Sequence, residues 1–154
     1  PNYVCIVPEK RKEITTEGGL NLTRTGPYIR HIIRKLKKNG IRVSLFIEPK
    51  NNDIKIAKLL GVDCVELHTG KFSKLVLKNK NTNSILKVFK KCVTYAVNAG
   101  LEVHAGHGLT YKSAIIISKI KNISELNIGH FIISESIFFS LENVIKKFKK
   151  IINE

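Results

Sequence analysis

Short apolar runs alternate with amphipathic stretches along the 154-residue chain, and this alternation restricts the fold more than any other feature. The apolar runs predict five strands, at residues 3–7, 42–47, 63–67, 101–104 and 125–128. The amphipathic stretches predict helices at residues 27–39, 53–60, 83–99, 112–119 and 136–152. Residues 9–23 form a polar loop in this scheme, and residues 75–77 are apolar but ambiguous. Because strands that alternate with helices pair in parallel, we expect an α/β fold with a parallel sheet.

Two architectures fit five such strands. An open, doubly wound sheet of flavodoxin type is complete at this length. A (β/α)8 barrel normally needs about 250 residues, so this chain would supply only part of one. Because the chain has no linker and no low-complexity segment, we expect residues 1–154 to form a single domain. The chain begins with Pro1 and contains no methionine, so we also expect that it lacks its true start.

The net charge of +15, from 27 basic and 12 acidic residues, is typical of a protein that binds nucleic acid. However, the lysines fall on predicted solvent-facing helix surfaces, and no aromatic residues alternate with them to stack on bases. Lysine, isoleucine and asparagine are also the residues that A/T-rich codons favour. We therefore expect no specific nucleic-acid partner, although a basic nucleic-acid-binding protein remains an alternative.

No apolar run approaches the ~20 residues that a membrane-spanning helix needs. The start of the chain also has no signal-peptide pattern. Its three cysteines, Cys5, Cys64 and Cys92, are widely spaced and odd in number, which favours buried reduced thiols over disulfides. We therefore expect a cytoplasmic protein without a membrane partner.

Histidines follow three successive predicted strands. His68 follows the third strand, His104 and His107 belong to the end of the fourth, and His130 follows the fifth. Because the carboxyl ends of parallel strands meet at one edge of the sheet, we expect these side chains to lie close together. Glu66 and His68 share one side of their strand by the two-residue period. The sequence therefore predicts an active site at this edge.

Glycines next to these histidines indicate the chemistry. Gly106, Gly108 and Gly129 expose backbone N–H groups and let an anion come close. In a (β/α) barrel the loops after the last two strands commonly bind phosphate, and histidine or glutamate beside a phosphate can transfer protons near neutral pH. A metal site formed by the same four histidines and Glu66 is the alternative, but the chain has neither an H-x-H nor an H-E-x-x-H pattern.

Six segments of the chain resemble the pyridoxine 5′-phosphate synthase family, in order and at the family's spacing. They are residues 7–11 (VPEKR), 15–20 (TTEGGL), 43–47 (VSLFI), 66–70 (ELHTG), 105–111 (AGHGLTY) and 125–130 (ELNIGH). The resemblance implies a (β/α)8 barrel to which this chain contributes the fourth to eighth βα units. It also implies an enzyme that condenses 3-amino-2-oxopropyl phosphate with 1-deoxy-D-xylulose 5-phosphate in vitamin B6 biosynthesis.

The same resemblance implies roles for individual residues. Glu66 matches the carboxylate that stabilises the transition state, and His107 matches the proton donor. Four residues match substrate-binding positions, namely Thr15, Gly108, Gly129 and His130. The family needs no metal and no organic cofactor, and it forms homo-oligomers.

Overall fold

Five parallel strands form one sheet in the structure, a computed structural model that describes residues 1–8 and 18–153. The strands are β1 (Tyr3–Ile6), β2 (Arg42–Ile47), β3 (Cys64–His68), β4 (Glu102–Gly106) and β5 (Glu125–Asn127). All five lie where the apolar runs predict strands, with ends that differ by one or two residues.

The helices in this part of the chain follow the strands in alternation. They are α1 (Leu22–Lys38), α2 (Asn51–Leu60), α3 (Gly70–Leu77), α4 (Asn83–Asn98), α5 (Tyr111–Ser118), α6 (His130–Phe139) and α7 (Leu141–Asn153). None of these described helices combines the length and the apolar character needed to cross a membrane.

The strand order decides between the two architectures. Neighbouring strands in the sheet are β1-β2-β3-β4-β5, and every pair is parallel. A doubly wound sheet reverses its strand order at a switch point, which a sequential order does not allow. The flavodoxin-type alternative is therefore wrong, and the prediction of a partial (β/α)8 barrel is confirmed: the sheet is half of such a barrel.

The two faces of the sheet differ in chemistry. Val43, Leu45, Val65 and Leu67 point to one face, are buried, and belong to the main hydrophobic core with residues of the helices. The residues between them form the inner face of the half-barrel, which carries buried polar and aromatic groups: Ser44, Phe46, Cys64, Glu66, His68 and His104. Since side chains alternate along a strand, one set of strands supplies both the core and a polar interior.

The first helix begins five residues earlier than predicted. Proline favours the first position of a helix, so the start was predicted at Pro27. In the structure Pro27 lies inside α1, and Asn21 caps the helix, because its side-chain oxygen accepts a hydrogen bond from the backbone N–H of Arg24. Asparagine is among the favoured N-cap residues, so the signal was present in the sequence.

Two other helical predictions change. The ambiguous residues 75–77 form the end of α3, which begins directly after β3. The single helix predicted at residues 136–152 is two helices, α6 and α7, and Ser140 separates them with a left-handed backbone (φ +63°). The apolar residues of α6 do not repeat with the helical period, so no amphipathic pattern predicted its start at His130.

We predict that the outer face of the sheet carries most of the stability. Leu45→Ala should lower the free energy of unfolding by about 2–5 kcal/mol, because the side chain is fully buried and its removal leaves a cavity. The matched control is Leu59→Ala on α2, whose side chain is 66% exposed and which should change stability by less than about 0.5 kcal/mol. Urea unfolding of the full-length protein measures both, and equal effects would contradict this assignment of the core.

Candidate active site

The loops after β4 and β5 form one cavity at the carboxyl edge of the sheet. His107 and Gly108 follow β4, while Gly129 and His130 lie at the start of α6. These four residues line a cavity of about 520 Å³, together with Thr110, Phe131 and Ser134. The structure thus brings together four residues that the sequence placed at this edge.

His107 has a left-handed backbone. Its φ is +75°, and that of Gly108 is +74°. This conformation is unfavourable for a residue with a Cβ atom, so the surrounding structure must hold it in place. Thr69, which is fully buried, does so: its hydroxyl lies 2.8 Å from the carbonyl oxygen of Gly106 and 2.7 Å from that of His107.

The first turn of α6 presents backbone N–H groups at the cavity. Gly129 is the N-cap residue, and no side chain caps the helix. The first N–H groups of a helix have no partner within it, and the helix dipole makes this end positive. A phosphate group suits such a site.

Glu66 lies nearby on the inner face of β3 and is 9% exposed. Its Oε2 accepts a hydrogen bond from the side-chain amide of Asn127 (2.9 Å) and one from the thiol of Cys5 (3.6 Å). Gly106, which pairs with His68 in the strand register, lies against this carboxylate. A Cβ atom at Gly106 would lie 2.1 Å from Oε1 of Glu66 and 2.9 Å from the Cβ atom of Asn127, so the site favours glycine here. Burial raises the pKa of Glu66, and the two hydrogen bonds offset this only in part.

The pKa of His107 is lowered, which favours the neutral imidazole. Burial lowers it, and the nearby positive charges of His68, Lys74 and His130 lower it further. The lowered pKa favours the neutral imidazole at neutral pH. A nearby anion would act in the opposite direction and favour protonation of the ring.

The metal-site alternative does not form as the sequence suggested. Among the described residues, the possible ligands that lie within 4.8 Å of one another are those of Cys64, Glu102 and His104, without the other histidines. Cys64 and Glu102 begin β3 and β4, far along the strands from the cavity. The guanidinium of Arg42 donates to both of them, and this cation opposes a metal ion at the same place. The His104 hydrogen bond and that of Arg42 lower the pKa of Glu102 to about 2.

Some residues of the site escaped the sequence analysis. Asn127, Thr69 and Glu48 hold Glu66, the His107 loop and His68 respectively. Each lies within two residues of a strand end, which is the signal that could have found them. Thr15, the remaining predicted substrate contact, lies outside the described residues.

We predict that Glu66 destabilises the folded protein at neutral pH. Its pKa is raised on folding, so the ionised side chain costs stability at pH 7, and this cost disappears as the pH falls below the unfolded value of about 4.3. Glu66→Gln should therefore be more stable than the wild type at pH 7, with the difference shrinking toward acidic pH. Urea unfolding at several pH values measures this, with the exposed Glu142→Gln as the control. A difference that does not depend on pH would contradict the prediction.

Comparisons with known proteins bear on the identity of this site. The whole chain, residues 1–154, matches the family described as pyridoxal phosphate biosynthesis protein PdxJ. It is 57% identical over 155 residues to pyridoxine 5′-phosphate synthase of Pelagibacter ubique, an alignment that covers 100% of this chain and 64% of the relative.

Two further relatives carry the same name. The enzyme of Sulfurihydrogenibium sp. is 47% identical, with 99% of this chain and 62% of the relative covered. That of Blochmanniella pennsylvanica is also 47% identical, with coverages of 100% and 63%. The chain thus spans less than two thirds of the length of these relatives. Since the family match extends over all 154 residues, the chain belongs to the PdxJ family.

Proposed function

We propose that this protein acts as a pyridoxine 5′-phosphate synthase. The reaction condenses 3-amino-2-oxopropyl phosphate with 1-deoxy-D-xylulose 5-phosphate and yields pyridoxine 5′-phosphate, inorganic phosphate and water. One observation supports this most directly: a histidine suited to proton transfer, His107, shares a cavity with the uncapped amino end of α6. A helix amino end can bind a phosphate group and a histidine can transfer protons, so the two features together suit an enzyme that acts on phosphorylated substrates.

The helix end and the glycine loop are our candidates for the phosphate-binding groups. Gly108 and Gly129 have no side chain that would keep an anion from the backbone, and His130 begins the helix whose N–H groups face the cavity. The helix dipole and the N–H groups would fix one phosphate group, and with it the position of the reacting carbon atoms. Thr15 stays a predicted substrate contact, on the basis of its sequence match alone.

His107 is our candidate for the proton donor. In the first condensation the amine nitrogen of one substrate bonds to the ketone carbon of the other, and the resulting hydroxyl group must be protonated before it leaves as water. The later dehydration and ring closure place the same demand on the site. A histidine whose pKa is lowered by burial and by neighbouring charges, and whose protonation anionic substrates would favour, can meet it.

Glu66 is our candidate for the group that stabilises the transition state. Loss of water leaves a positively charged iminium carbon, and an ionised carboxylate close by lowers the energy of that charge. Asn127 and Cys5 hold one carboxylate oxygen of Glu66 in place, so the charge is oriented before the substrate binds. The raised pKa of Glu66 is the cost of keeping this charge in a buried position.

The setting of the enzyme is part of the proposal. We expect it to act in the cytoplasm as a homo-oligomer, with its two phosphorylated substrates as partners and without a metal or an organic cofactor. The family assignment favours this function over nucleic-acid binding, which the net charge of +15 alone would indicate.

We predict that His107→Ala removes most of the activity. Purified full-length protein given both substrates should form pyridoxine 5′-phosphate and release inorganic phosphate. The variant should lose about 10²–10⁴-fold in kcat, which is the usual contribution of one general acid or base. His31→Ala is the control, because His31 is an exposed histidine on α1. Full activity in the His107 variant would refute the proposed role, and an inactive wild type would refute the proposed function.

A further inference from the structure

A carboxylate–histidine pair, the half-buried Glu48 and the buried His68, lies at the carboxyl ends of β2 and β3. The Nδ1 atom of His68 lies 2.7 Å from Oε1 of Glu48, and the two side chains are 5% and 20% exposed. The same carboxylate oxygen accepts a hydrogen bond from the backbone N–H of Gly19 at 3.1 Å. Burial by itself raises the pKa of Glu48, but the bonds from Gly19 and His68 outweigh it, and the net pKa is lowered. Glu48 is therefore an ionised anchor for His68.

The other side of the His68 ring faces His107. The centroids of the two imidazole rings are 4.9 Å apart, and the rings meet edge to face at 63°. Phe46 contacts both rings, with centroid distances of 5.2 Å to His68 and 6.1 Å to His107. His68 thus lies between its carboxylate partner and the proposed proton donor.

The second ring nitrogen of His68 has a distinctive position. Nε2 is buried and has no hydrogen-bond partner among the described residues. A Cβ atom at Gly70 would lie 2.5 Å from Nε2 and 3.1 Å from the ring of His107, so only glycine leaves room for both imidazoles here. A buried polar nitrogen without a partner costs free energy, and such exceptions need an explanation beyond packing.

We propose that Glu48 and His68 are positioning residues that fix the orientation of the His107 imidazole and control its charge. This inference rests on the proposed function, because it assigns the pair to the same proton-transfer site. Glu48 fixes the His68 ring through the 2.7 Å contact between its Oε1 and the Nδ1 atom of the ring. His68 in turn supports the His107 ring, whose own backbone is held in an unfavourable conformation.

Charge gives the pair an effect that packing alone would not have. The groups that lower the pKa of His107, besides burial, are His68 on β3, Lys74 on α3 and His130 on α6. Lys71 on α3 acts on Glu48. Of these three residues, His68 is paired with the half-buried carboxylate of Glu48 and is also in ring contact with His107. Loss of the Glu48 carboxylate would therefore change the pKa of His107 indirectly, through its effect on His68.

The decisive experiment is an NMR titration of His107 in the purified full-length protein without substrate. The His107 resonance is assigned by its absence in His107→Ala. His68→Phe keeps an aromatic ring against Phe46 and removes the imidazole, and Glu48→Gln keeps the shape of the side chain and removes the anion. Both variants should raise the titration midpoint of His107, because the electrostatic effect by which His68 lowers the pKa of His107 is lost or weakened.

The control is Glu102→Gln, which breaks a second carboxylate–histidine pair in the same sheet, the 3.0 Å contact between Glu102 and His104. It should leave the His107 midpoint unchanged. The proposal would be overturned if the His107 midpoint in both Glu48→Gln and His68→Phe were the same as in the control variant. A shift in His68→Phe alone would also overturn it, since Glu48 would then have no part. If His68→Phe does not fold, the His107 midpoint in Glu48→Gln decides alone. If Glu48→Gln does not fold, Glu48→Ala takes its place.

Kinetics separate this inference from the proposed function. In an active enzyme, Glu48→Gln should lower kcat with little change in KM and should move the pH–rate profile in the same direction as the His107 midpoint. A fall in kcat with an unmoved pH profile would indicate a merely structural role and would count against the pair. If the wild type forms no pyridoxine 5′-phosphate, the proposed function fails, while the titration still tests the contact between His68 and His107.

Discussion

Parallel pairing in sequential order is the constraint on which the rest of this structure depends. Each strand pairs with the one before and after it in the chain, so all the connecting helices lie on one face of the sheet. The apolar side chains of the strands pack against those helices, and the alternate side chains are left on the inner face. The polar inner face therefore results from the same alternation of side chains along the strands that forms the hydrophobic core. Glu66, His68 and His104 are there because Val65, Leu67 and Val103 are on the other side.

The active-site edge adds a second layer of constraint to this frame. Gly106 and Gly70 leave room for the Glu66 carboxylate and for the two imidazoles of His68 and His107. Thr69 then fixes the loop carbonyls with one buried hydroxyl. Glycines and hydrogen-bonding side chains thus do different work here: the first allow close approach, and the second make one arrangement the stable one. Both are needed where a backbone conformation is unfavourable in itself.

Features that depend on local periodicity could be predicted from the sequence, and features that depend on distant partners could not. The five strands, the contact between His68 and His107, and the shared cavity of His107 and His130 follow from short apolar runs and their ends. His104 was expected at the same edge, but it lies apart, against Glu102. The start of α1 at Leu22 was predicted wrongly, because Pro27 is a stronger local signal for a helix start than the Asn21 cap. Glu48 was missed because its partners, Gly19 and His68, are 29 and 20 residues away in the chain. Only the register between strands brings them together.

The left-handed backbone at His107 has a consequence for how this position can vary. A glycine there would adopt φ +75° without the penalty that a Cβ atom imposes, so the backbone by itself favours glycine at this position. The same substitution would remove the ring contacts with Phe46 and His68. The side chain and the backbone of one residue thus place opposite demands on this turn.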